Sequence, residues 1–130
     1  HHFVNAFAAN DPKSTLKIWN MLGRRIGNRP TCIFLNTRSD RRYRTKQLMN
    51  LVCNEIQPDL FIIRGDDLPK ELHMLIDNHE SMEVKLFSEK AKPSKLFEYF
   101  TSIDSQFIIG IGNIVGWGEN FVSELKEYRI

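Results

Sequence analysis

The sequence predicts an α/β protein: a Rossmann-like three-layer sandwich in which a mostly parallel sheet of about five to six strands lies between helices. Short apolar runs alternate with longer amphipathic stretches from one end of the chain to the other, and prolines separate several of them. Helices of this length between strands imply crossover connections, which place the strands parallel to one another.

The first strand is expected over residues 3–9, which are apolar and lead into an Asn-Asp-Pro sequence. Asp11 is a good N-cap, and Pro12 suits the first position of a helix over 12–25. The continuous apolar run 31–35 then indicates a strand that is buried on both faces.

A second helix is expected over 41–56, because its apolar residues recur on one face. Pro58 ends it, and the apolar run 60–63 forms the third strand. Pro69 is expected to start a short third helix, with Asp66 and Asp67 as its capping residues.

In the last part of the chain, residues 82–87 alternate between polar and apolar, which places this strand nearer an edge of the sheet. Pro93 opens a fourth helix. The apolar run 107–111 is the last strand, and a closing amphipathic helix follows around residues 121–128.

Composition and length indicate one globular domain. The chain has 130 residues, of which 42% are hydrophobic and 26% charged. His1 and His2 are interpreted as a remnant of a tag, and residues 3–130 as a single domain cut from a longer protein. Cys32 and Cys53 are interpreted as small buried hydrophobes in a reducing compartment.

Two classes of partner are disfavoured by composition. A net charge of +2, without a basic stripe interleaved with aromatics, argues against nucleic acid. No apolar run approaches the roughly 18 residues that span a bilayer.

Polar, charged and glycine residues gather where the predicted strands end. Ligands of open α/β sheets bind outside the carboxyl ends of the strands, so these loops are the candidate site. The loops are 10–11, 37–42, 64–67, 88–92 and 110–118.

The second of these loops continues into its helix with five cations, Arg38, Arg41, Arg42, Arg44 and Lys46. Positive charge in the first turn of a helix opposes the helix dipole, and an anionic ligand or a pairing acid such as Asp40 would offset that cost. Two interpretations remain open: a phosphate or carboxylate site, and a solvated charged face.

The last loop is rich in glycine but lacks the G-x-G-x-x-G spacing, so it is a weak nucleotide signal. Trp117 in this loop either stacks on a ligand or a partner domain, or packs in the core. No phosphate loop of the G-x-x-x-x-G-K-[ST] type and no nucleophile elbow occur, so no catalytic residue is assigned. His73 and His79 lack metal-ligand spacing, and no metal ligand is predicted.

Three segments together resemble the C-terminal domain of the Mur ligase superfamily. They are the opening stretch from Asn5 to Ser14, the Arg-Ser-Asp-Arg loop that begins at Arg38, and the closing Gly-Ile-Gly-Asn segment that begins at Gly110. Within the superfamily, the chain is most similar to the ATP-dependent ligase subunit of poly-gamma-glutamate synthase, which makes a capsule polymer.

The resemblance implies a function for the full-length protein. An upstream phosphate-loop domain of the same protein would hold most of the ATP and Mg²⁺, and this domain would close over it. The acceptor carboxylate is phosphorylated, and the amine of the incoming amino acid attacks the acyl phosphate. Glutamate or its polymer and membrane subunits of a synthase are the implied partners, with a location at the cytoplasmic face and no nucleic acid.

The resemblance also implies roles for particular residues. Asn10 and Pro12 match the end of the family's opening motif with Asp11 inserted, and Asn5 stands near an aspartate that contacts the ribose in many relatives. Nucleotide contact is therefore assigned to Asn5, Asn10 and Asp11, and phosphate or glutamate carboxylate to Arg38, Asp40 and Arg41. The glycine-rich loop contributes Gly110, Gly112 and Asn113.

Two other function classes stay open from the sequence. One is a stand-alone nucleotide- or anion-binding regulatory module without catalysis. The other is a structural α/β interaction domain in which the arginines are merely solvated.

Overall fold

A computed structural model describes residues 2–7, 11–66, 68–70, 72–77, 81–103 and 107–128. Its centre is a sheet of five strands, all parallel, in the order β1-β5-β2-β3-β4. The strands are β1 (His2–Asn5), β2 (Thr31–Asn36), β3 (Leu60–Arg64), β4 (Glu83–Phe87) and β5 (Phe107–Gly112). The predicted α/β class and the parallel sheet are confirmed.

The helices connect the strands as the amphipathic stretches predict. They are α1 (Pro12–Ile26), α2 (Arg42–Leu51) with a π-helical continuation over Val52–Ile56, α3 (Leu72–Asp77), α4 (Pro93–Ser102) and α5 (Trp117–Tyr128). None of the helices in the described ranges is both long and apolar enough to cross a membrane.

The sheet is covered on both faces, which gives the three predicted layers. Successive β2 residues point to opposite sides. Ile33 and Leu35 join the cluster that includes α1 and α2, while Cys32 and Phe34 join the one that includes α4 and α5. All six residues of β2 and all five of β3 are buried, and this burial explains the unbroken apolar runs at 32–35 and 60–63 within them.

Both cysteines are buried and free, as expected. Burial raises the pKa of the Cys53 thiol to about 11 and also raises that of Cys32. Neither thiol is therefore a ready nucleophile at neutral pH.

β1 is shorter than predicted. The Asn5 side-chain oxygen accepts a hydrogen bond from the Phe7 backbone N–H at 3.2 Å, so the chain turns out of the sheet at Asn5. Phe7 is fully buried and meets Phe34 edge-on, with ring centroids 6.1 Å apart. Ala6 and Phe7 are thus buried in the core without extending the strand.

α3 also begins later than predicted, at Leu72, and the expected cap at Asp66 is wrong. The Asp66 carboxylate accepts from the Glu89 backbone N–H at 3.2 Å, in the loop after β4. A tertiary hydrogen bond has replaced the local cap. The second predicted cap, Asp67, lies outside the described residues.

Candidate functional site

A polar cavity lies at the carboxyl ends of β2 and β5, beside the start of α2. Its volume is about 170 Å³. Eleven residues line it: Leu35, Asn36, Thr37, Arg38, Arg41, Arg44, Thr45, Leu48, Gly112, Asn113 and Val115. Two loops that are far apart in sequence therefore build one site, at the edge where α/β sheets bind ligands.

The floor of the cavity is apolar and fixed. Leu35 at the end of β2 and Leu48 on α2 are each 1% exposed. The Thr45 hydroxyl donates to the Arg41 carbonyl at 3.2 Å, and the Thr37 hydroxyl donates to the Arg64 carbonyl at 2.9 Å. Both hydroxyls are thereby held in place next to the cations.

Three arginines from one segment surround this floor. Arg38 and Arg41 lie in the loop between β2 and α2, where the Arg41 N–H donates to the Arg38 carbonyl at 2.9 Å, and Arg44 lies in the first turn of α2. The Arg38 Nε lies 2.6 Å from the Asp40 carboxylate, but both side chains are substantially exposed, so this pair adds little stability. Positive charge is the dominant chemical property of the cavity.

The start of α2 adds to this positive field. Arg41 occupies the N-cap position without a side-chain hydrogen bond to the helix, and the first turn contains no acidic residue. The positive end of the helix dipole and the arginines therefore repel one another locally. An anion in the cavity would relieve that repulsion.

Asp11 does not line the cavity but is within the electrostatic influence of Arg44, which does. Its carboxylate caps α1 by accepting from the Ser14 backbone N–H at 2.9 Å. That hydrogen bond is the main reason why the pKa of Asp11 is below its ordinary value, and the positive charge of Arg44 lowers it further. Asp11 is thus a helix cap with a cation of the cavity nearby.

The wall opposite the arginines is formed by the end of β5. Gly112 has φ +99°, a conformation that side chains rarely adopt, and a Cβ there would collide with the Asn36 carbonyl oxygen. The Asn113 N–H donates to that carbonyl at 2.8 Å, and the Asn36 side-chain amide donates to the Asn113 carbonyl at 2.8 Å. Glycine at 112 is what permits this close approach.

The structure brings four of the predicted site residues to the cavity: Arg38, Arg41, Gly112 and Asn113. Asp40 lies beside it, paired with Arg38. Asn5 and Gly110 do not line it. Asn5 is at the end of the edge strand β1, where its side chain forms the turn to Phe7. Asn10 lies outside the described residues.

Gly110 belongs to β5, which confirms its place in the predicted strand over 107–111 and means that the glycine-rich loop begins after it. It is paired with Asn5 on one side and Phe34 on the other. A Cβ would lie 2.7 Å from the rings of Phe3 and Phe7. Glycine is needed here so that two aromatic rings can pack against the strand.

Trp117 is half-buried and packs against the core, as one of the two alternatives from the sequence predicted. Its ring stacks on Phe121 at a centroid distance of 5.2 Å, and its indole N–H donates to the Ala91 carbonyl at 2.7 Å. The guanidinium of Arg64 lies 4.1 Å from the ring centroid.

Arg64 was considered only as the first residue of the loop 64–67, and neither Asn36 nor Thr45 was singled out from the sequence. Thr45 stands one helical turn after Arg41, a spacing that places both on one side of α2. Asn36 and Arg64 are polar residues at the ends of buried apolar strands, and this is the signal that could have marked them.

Comparisons with known proteins place the chain. The model of the poly-gamma-glutamate synthase CapB C-terminal domain matches residues 1–128. PGA synthase CapB of Bacillus subtilis (strain 168) is 33% identical over 138 residues, which cover 99% of this chain and 33% of that protein. Capsule biosynthesis protein CapB of Bacillus anthracis is 28% identical over 141 residues, which cover 98% of this chain and 28% of that protein. The chain spans about a third of the length of these relatives. It belongs to the family of poly-gamma-glutamate synthase CapB C-terminal domains.

Proposed function

We propose that this chain is the anion-binding C-terminal domain of an ATP-dependent acid–amino acid ligase that adds glutamate to poly-gamma-glutamate. The family and the names of its relatives support the polymer. The ligase mechanism follows from the resemblance of the Asn5–Ser14, Arg38–Arg41 and Gly110–Asn113 segments to Mur ligase C-terminal domains. This domain would work with an upstream phosphate-loop domain of the same protein.

The observation that carries the proposal is the convergence of Arg38, Arg41 and Arg44 on one small cavity. A guanidinium is a planar fork that grips a carboxylate or phosphate at two points. A volume of about 170 Å³ suits one such group, and not a whole nucleotide. The apolar floor of Leu35 and Leu48 suits the methylenes of a glutamate.

In the reaction, ATP supplies the phosphoryl group that activates the acceptor carboxylate. The amine of glutamate then attacks the acyl carbon, the C–N bond forms, and phosphate leaves with the electrons of the C–O bond. The arginines of this chain would hold the glutamate carboxylate or the phosphoryl oxygens and neutralise charge that grows during transfer. Closure of the domain would exclude water that otherwise hydrolyses the acyl phosphate.

Mg²⁺ does not fit this cavity. Hard cations bind oxygen ligands, mostly carboxylates, whereas the lining contains three cations and no carboxylate. The described ranges of the chain also contain no group of three or more His, Cys, Asp or Glu side chains that could hold a metal. We assign the metal to the upstream domain.

Replacing Arg41 with alanine in the full-length enzyme tests the proposal. Ligation of glutamate is expected to fall at least about tenfold, which corresponds to roughly 1.4 kcal/mol of lost transition-state stabilisation. The matched control is Arg25→Ala, since Arg25 is an exposed arginine in the last turn of α1, at the opposite edge of the sheet. Unchanged kcat/KM in Arg41→Ala would refute the assignment.

The second function class, a regulatory module without catalysis, gives a different result in the same experiment. The cavity is formed entirely by residues of this chain, so anion binding does not by itself require catalysis. In that case Arg41→Ala would weaken anion binding and leave ligation at its normal rate.

A further inference from the structure

Arg64 is a buried cation behind the cavity wall. It is the last residue of β3 and is only 8% exposed. Burial lowers the pKa of its guanidinium, and Glu89 and Asp66 partly counter that shift. A buried charge of this kind is costly unless its partners are well placed.

The partners of Arg64 come from three other segments. One terminal nitrogen donates to the Asn36 side-chain oxygen at 2.8 Å, and the other donates to the Glu89 backbone carbonyl. Its flat face covers the ring of Trp117. The Nε is buried and has no hydrogen-bond partner among the residues that the structure describes. The side chain therefore joins β2, the loop after β4 and the start of α5.

Asn36 connects Arg64 to the wall of the cavity. A guanidinium only donates, so the Asn36 side-chain oxygen must face Arg64 and its NH₂ must face the opposite way. There the NH₂ donates to the carbonyl of Asn113, a residue that lines the cavity. Arg64 thereby fixes which end of the Asn36 amide meets the cavity wall.

We propose that Arg64 and Asn36 are positioning residues that hold the Gly112-Asn113 wall at the distance from the arginines that the anion requires. Arg64 does not line the cavity, and the side-chain amide of Asn36, which does, is engaged by Arg64 and by the Asn113 carbonyl. The inference rests on the proposed function, because the anion is the glutamate carboxylate or phosphoryl group of that reaction.

Asn36→Asp and Arg64→Lys in the full-length enzyme test this role together, because Asn36→Asp also adds a negative charge to the cavity lining whereas Arg64→Lys leaves the charge unchanged. The substituted carboxylate keeps an acceptor for Arg64 and is nearly the same size, but it cannot donate to Asn113. We expect the KM for glutamate, or the KM for ATP if the cavity holds the phosphoryl group, to rise at least about fivefold. Asn50→Asp is the matched control, because Asn50 donates to the Lys46 carbonyl on α2 and does not line the cavity.

Trp117 gives a readout that shows whether the rest of the network is intact. The chain has two tryptophans, so Trp19→Phe leaves Trp117 as the sole reporter in the 130-residue chain. We expect Asn36→Asp to leave the emission spectrum of Trp117 unchanged. Arg64→Lys removes the planar fork. It should both shift that emission and raise the same KM.

The outcomes are distinguishable. If Asn36→Asp fails to fold, Arg64→Lys decides the question through the same KM. The inference is wrong if Arg41→Ala impairs ligation while the KM values of the two network variants stay at the wild-type level. If Arg41→Ala has no effect on ligation, the proposed function is wrong, and the inference that rests on it is wrong as well.

Discussion

Replacing Arg38, Arg41 and Arg44 together with alanine is expected to lower ligation by the full-length enzyme at least about a hundredfold. Each arginine supplies one positive charge to the same small cavity. If each contributes about tenfold, their combined loss approaches a thousandfold, and the shared ligand makes the sum less than additive. The fold should survive, because the exposed pair of Arg38 and Asp40 contributes little to stability.

The control for this variant removes the same charge elsewhere. Arg24, Arg25 and Arg29 are exposed residues at and after the end of α1, at the opposite edge of the sheet. Their replacement with alanine should leave kcat/KM within about twofold of the wild-type value. Equal losses in both triple variants would show that net charge, and not the cavity, is what ligation requires.

Phe121→Ala is expected to be the most damaging single substitution for stability, costing about 3–5 kcal/mol of unfolding free energy. The Phe121 side chain is fully buried on α5. Six aromatic rings lie within 4.9–6.1 Å of its ring centroid: Phe3, Phe7, Phe34, Phe97, Phe100 and Trp117. Truncation of Phe121 would leave a cavity at the point where these six aromatic rings meet.

Urea denaturation of the 130-residue chain measures this cost. Met21→Ala is the control, because Met21 is 72% exposed on α1 and its loss should change the unfolding free energy by less than about 0.5 kcal/mol. A loss below about 1 kcal/mol in Phe121→Ala would mean that the aromatic layer is not the main core.

The sheet was predictable because strands that are buried on both faces have apolar sequences that can be recognised without a structure. The runs at 32–35 and 60–63 are apolar at every position, and both strands are covered on both faces. The alternating run at 82–87 was placed near an edge, and β4 is an edge strand. Helix starts at Pro12 and Pro93 were readable from proline chemistry alone.

The errors arose where a long-range contact replaced a local signal. Asp66 has the sequence context of a helix cap, but its carboxylate accepts from Glu89, far along the chain. Gly110 was predicted both as part of the strand over 107–111 and as the start of the loop, and it lies in β5, where the rings of Phe3 and Phe7 fill the space beside it. Neither partner can be inferred from residues nearby in sequence.

Part of the cavity was predictable from the sequence, and part was not. The cations after β2 and the glycines after β5 were identifiable, and the rule that strand ends meet at one edge brought them together. The hydrogen bond between Arg64 and Asn36 behind the cavity was not predictable. These two residues meet only because the register of β2 against β3 pairs them.

A binding measurement on the 130-residue chain tests the central claim most directly. Glutamate and inorganic phosphate are titrated separately while the backbone amide resonances are recorded by NMR. We expect saturable shifts confined to residues 36–45 and 112–115 with at least one of the two anions, and their loss in the triple arginine variant. Saturable shifts centred elsewhere, or the same shifts in the triple variant, would contradict an anion site between α2 and the end of β5.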